Sequence, residues 1–130
     1  MVKTVTMHAN IGVNRGYFHH NGADCDFYTM LQQAADEVQR RTGIYVSCIA
    51  YKSKTIYRTD WGCPAGGEDT YNIESTAIPL FAPDAGEWKK AARELVLLMK
   101  GKLRQSVVTM QFFTSELEYM DGEPDKAVKP

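Results

Sequence analysis

The sequence predicts an α+β domain: a two-layer ferredoxin-like sandwich in the order βαββαβ, with a four-stranded antiparallel sheet and two helices on one face. Three observations predict it. Four segments are strand-like, with apolar and polar residues at or near period two. Two segments carry an apolar stripe at spacings of three and four residues. They occur in the order strand, helix, strand, strand, helix, strand. Two right-handed crossovers then place both helices on one face and give strand order 4-1-3-2.

Residues 4–14 are the first strand: Val5, Met7, Ala9, Ile11 and Val13 alternate with Thr4, Thr6, His8, Asn10 and Asn14. Residues 15–25 contain turn residues without a period and read as a loop. The first helix spans 26–42, capped by Asp24 or Asp26 and striped by Phe27, Met30, Leu31, Ala34 and Val38. Gly43 stops it after Arg40 and Arg41. The second strand is expected from Ile44 to Ala50, extending toward Tyr57, with Lys52–Lys54 as a turn into a short extra strand in the alternative. A long loop over 58–69 holds Trp61, Cys63, Pro64 and Gly66-Gly67. The third strand is expected over Thr70–Ile78. Asp84 caps the second helix, with Glu87 at capping-box spacing and Trp88, Ala91, Ala92, Leu95, Leu98 and Met99 on its apolar face. Ser106–Thr114 is the fourth strand. The domain is expected over 1–120, and the polar, aperiodic 121–130 as a disordered tail.

Composition bounds the function. The chain has 130 residues, net charge −1 and a hydrophobic fraction of 44%, enough to bury a core without disulfides or metal. A nucleic-acid polymer is not the expected partner, because such binders carry a basic excess. Cys25, Cys48 and Cys63 match no zinc spacing and read as reduced thiols of a cytoplasmic protein. No metal and no cofactor is expected. His19, His20, Asp24, Cys25 and Asp26 include metal-ligand types but lack ligand spacing. Met1–Thr6 lacks the apolar core of a signal peptide, and no apolar run reaches membrane-spanning length.

The predicted topology leaves one sheet face free of helices. Its central strands would present Thr6, His8, Asn10, Asn72, Glu74 and Thr76. Tyr45, Ile49 and Tyr51 would flank one side, and Val107, Gln111 and Phe113 the other. His8, Asn10, Asn72 and Glu74 form the candidate constellation; a His8–Glu74 hydrogen bond would suit acid–base chemistry or ligand orientation. An exposed polar strand face, or a polar patch inside a dimer interface, would present the same residues. Tyr45, Tyr51 and Trp61 offer stacking surfaces and Arg15 or Arg58 offers charge. Two better-known uses of this fold do not fit. The acylphosphatase pattern has its arginine here, as Arg15, but not the tight glycine-rich loop. The aromatic positions of RNA-recognition domains are polar in this chain.

The expected function is therefore binding or sequestering of a small, nucleotide-like molecule by a homodimer or higher oligomer. A cofactor-free enzyme with His8 or Glu74 as base, and a protein-interaction module, are the alternatives.

Overall fold

The computed structural model describes residues 1–13 and 26–122. Arg15, the His19-His20 pair and most of the expected tail lie outside the described residues.

Alternation over Val2–Gly12 (β1) buries Met7, Ala9 and Ile11 and turns His8 and Asn10 to the other side. Helix Phe27–Thr42 (α1) starts where the Asp26 carboxylate accepts from the Thr29 amide at 3.1 Å. It ends at Gly43, whose φ of 80° is the left-handed conformation a glycine cap adopts. Ile49–Thr55 (β2) and Glu68–Thr76 (β3) follow, joined through a single 3-10 turn at Thr59–Trp61. Gly67, at φ 98°, passes so close to β2 that an added Cβ would lie 3.1 Å from the Thr55 carbonyl oxygen. Helix Ala85–Lys102 (α2) is capped by Asp84, which accepts from the Glu87 amide at 3.1 Å. Thr109–Leu117 (β4) closes the order.

The sheet order is β2-β3-β1-β4, antiparallel at every pairing. This is the ferredoxin-like arrangement, with the strand order the sequence predicts. One core joins Met7, Ala9, Ile11 and Ile73 of the sheet to Phe27, Leu31, Ala34 and Val38 of α1 and to Trp88, Ala91, Leu95 and Met99 of α2. Phe27 is 1% exposed and its ring stacks on Tyr71 at 4.2 Å.

Strand boundaries differ from expectation, most at β2. Residues 44–48 do alternate, with Val46 buried and Tyr45 exposed, but they carry no ladder to β3. Ser47 offers its carbonyl to the Ser75 hydroxyl, and ladder pairing begins two residues later at Ile49↔Glu74. The Lys52–Lys54 segment is strand, not turn: both lysines reach Asp69, at 3.7 and 2.7 Å, and place charge on an open sheet edge. β4 begins three residues later than expected, at Thr109, whose pairing with Asn10 is the first of its ladder to β1. β3 begins at Glu68, two residues earlier than expected.

Candidate functional site

Register brings the constellation together. His8 lies opposite Glu74 on one side and Gln111 on the other; Asn10 lies opposite Asn72, which in turn lies opposite Tyr51. The five predicted residues His8, Asn10, Tyr51, Asn72 and Glu74 thus form one patch on the free face. The hydrogen bonds run differently from expectation. The His8 ring meets Asn72 Oδ1 at 3.0 Å, and Glu74 instead accepts from the Tyr51 hydroxyl at 2.6 Å. Diagonal neighbours on a sheet face are within reach of side chains of this length.

Much of the patch satisfies itself. Asn10 donates to Asn72 Oδ1 at 3.0 Å and to Thr70 Oγ1 at 3.3 Å. Ser53 and Thr55 hydroxyls each lie 2.9 Å from Thr70 Oγ1. Asn72 is only 6% exposed although it faces away from the helices. A connected polar network of this kind is rigid, and it leaves His8, Glu74, Tyr51 and Gln111 as the groups turned outward.

Two predicted residues lie outside the paired strands. Tyr45 lies before β2 and borders two clefts, of about 370 and 290 Å³, beside α1. Those clefts lack clustered chemistry: Cys48, in the larger, has its thiol pushed up to about 12 by burial and is inert as a nucleophile. Trp61 is 61% exposed in the 3-10 turn, with the Arg58 guanidinium 5.0 Å above its ring. Among the described residues, no cluster of three or more His, Cys, Asp or Glu side chains forms a metal site. Nor is any helix of those residues long and apolar enough to cross a membrane.

The sequence reading missed a carboxylate. Glu68 shares the free face with Thr70, Asn72 and Glu74 by strand parity and accepts from the Tyr57 hydroxyl at 3.0 Å. Gly12 lies beside it, and a Cβ there would approach Glu68 Oε2 to 3.0 Å. Starting β3 two residues earlier would have found it. With Glu68 included, the charged side chains that register places on the described free face are Glu68 and Glu74, both acids.

Glu74 acts on the Tyr51 phenol. The phenol is held above its ordinary range, first by the hydrogen bond it donates to Glu74, then by burial and the carboxylate's charge. A folded-state value above the unfolded one contributes stability that is present below the unfolded pKa and lost as pH rises through the folded one. Glu74→Gln should bring the Tyr51 titration down toward the ordinary tyrosine range. Ultraviolet tyrosinate absorbance checks this, with Tyr51→Phe assigning the component. An unchanged curve would mean the Glu74 bond is absent in solution.

None of the curated proteins matches the sequence. A phage SAM lyase in complex with S-methyl-5'-thioadenosine superimposes with a TM-score of 0.55 at 11% identity, over 91% of this chain and 93% of that one. The same enzyme type in its apo state gives 0.55 at 11%, over 92% and 94%. That likeness is one of fold. The family model named SAM lyase matches residues 2–121, which takes in every strand, both helices and the whole free face. The chain belongs to the SAM lyase family.

Proposed function

We propose that this protein cleaves S-adenosylmethionine and releases S-methyl-5'-thioadenosine, with the substrate held on the free face of the sheet. The observation that carries the reading is the acid-only face: Glu68 and Glu74 suit a substrate that bears a sulfonium cation. Family membership supports the reaction class, and the nucleoside bound to the phage relative supports the ligand class. Tyr51, half exposed beside this patch, offers a ring to an adenine or to the sulfonium.

The chemistry asks little of the protein. A sulfonium is already a good leaving group. The Cγ–S bond breaks with its electron pair passing to sulfur, and the substrate's own carboxylate oxygen bonds to Cγ. The products are a neutral thioether and a five-membered aminolactone; no water is consumed and no proton moves. The protein's task is to fold the aminoacyl arm back on itself and to hold the cation, which is catalysis by orientation. Abstraction of a Cβ proton by His8 would instead give an unsaturated amino acid.

The free face also carries an apolar rim, with Ile49 68% and Phe113 47% exposed. Covering that rim with a second copy would shield the site from water, so the active form is proposed to be a homo-oligomer. The substrate class fits a cytoplasmic enzyme.

Incubation with S-adenosylmethionine, followed by liquid chromatography and mass spectrometry, tests this. Expected are S-methyl-5'-thioadenosine and the aminolactone in equal amounts, from a species larger than one chain by sedimentation. S-adenosylmethionine recovered intact at high protein concentration would refute the reading.

A further inference from the structure

Asn72 has four hydrogen-bonding positions, and protein groups occupy all of them. Its amide nitrogen donates to Ser53 Oγ at 2.8 Å and to the Tyr51 carbonyl at 3.5 Å. A backbone carbonyl only accepts, so this contact sets which end of the amide is nitrogen. Oδ1 is thereby turned toward β1, where Asn10 and His8 Nε2 each lie 3.0 Å away. An amide oxygen carries no hydrogen, so His8 Nε2 must be the donor. In the neutral ring, a proton on Nε2 leaves the lone pair on Nδ1.

We infer that Asn72 is a positioning residue: it holds His8 in the Nε2–H tautomer, so that Nδ1 accepts a hydrogen bond from the substrate's ammonium group beside the Glu74 carboxylate. The ammonium half rests on the S-adenosylmethionine reading; the tautomer half does not. The surroundings suit a cation. β3 brings Glu74 and the uncharged Asn72 against His8, and β4 brings the uncharged Gln111. β2 adds Tyr51 through its bond to Glu74. An ammonium has three N–H groups, enough to serve a neutral acceptor and a carboxylate together. Anchoring it fixes one end of the aminoacyl arm while leaving the substrate carboxylate free to turn onto Cγ.

Long-range proton–nitrogen spectroscopy of His8 in the full chain tests this. The chain has three histidines, so a His8→Gln spectrum assigns the signal. The Nε2–H pattern is expected in the free protein. The Nδ1 signal should move on adding S-adenosylhomocysteine, which carries the aminoacyl arm. It should stay in place with S-methyl-5'-thioadenosine, which lacks that arm, while the Tyr51 and Gln111 amides still move. Asn72→Asp keeps the acceptor and adds a negative charge. The Nε2–H pattern should persist in it, whereas Asn72→Leu, which removes the acceptor, should bring in the Nδ1–H form.

An Nδ1–H ring in the free protein overturns the tautomer assignment. An Nδ1 signal unmoved by S-adenosylhomocysteine, while the Tyr51 and Gln111 amides respond, overturns the ammonium contact. If neither nucleoside moves any signal, the S-adenosylmethionine reading falls and the ammonium contact with it, while the free-protein spectrum still decides the tautomer.

Discussion

Glu68→Gln combined with Glu74→Gln should lower kcat/KM for S-adenosylmethionine by roughly 10²–10⁴-fold. A hydrogen bond or close contact to a charged group is worth about 1.5–3 kcal/mol, and each 1.36 kcal/mol is about a factor of ten in rate. Two such contacts give that range. Glutamine keeps the shape of each side chain and still accepts from Tyr51 and Tyr57, so the face itself should persist. The neutral product S-methyl-5'-thioadenosine provides the control. Its binding should change little, because it has neither the sulfonium nor the ammonium for the carboxylates to meet. Added salt should weaken the wild-type enzyme more than the double variant. A double variant with wild-type kcat/KM would remove electrostatic recognition from the account.

Phe27→Ala should destabilise the fold by about 3–5 kcal/mol, the usual cost of truncating a buried aromatic. Three features place Phe27 toward the upper end. It is almost wholly buried, its ring lies parallel to Tyr71 at 4.2 Å, and Tyr28 meets it edge-on at 6.2 Å. It also begins α1, so the cavity would open where the helix is seated on β3. The urea midpoint should fall with little change in slope, and Tm by about 10–20 °C. A loss below about 1 kcal/mol would mean the neighbouring rings close over the gap.

The site was partly legible before the structure. Period-two alternation put His8 and Asn10 on one face and Asn72 and Glu74 on another, and the strand order made those faces one. Parity survives errors in where a strand begins, so these residues were found although every strand was misplaced at an end. Glu68 was lost to such an error, because it fell in what read as loop. Tyr45 alternates like a strand but sits before the first ladder pair. Trp61 carried no periodic signal; it lies in the 3-10 turn, with Arg58 over its ring.

By itself the sequence determined the ferredoxin-like order, the Gly43 and Asp84 caps and the side of the sheet each central residue faces. All of these follow from local periodicity and from short-range hydrogen bonds within a few residues of chain. Tertiary structure alone decided which polar groups pair. His8 faces Glu74 across the ladder yet bonds to Asn72, because Tyr51 reaches Glu74 from β2 and Asn72 Oδ1 lies open to both strand β1 side chains. That choice depends on three strands in register at once, with contacts 21 to 64 residues apart in sequence. No local pattern encodes it, and it is what separates the groups left facing the ligand from those spent on the fold.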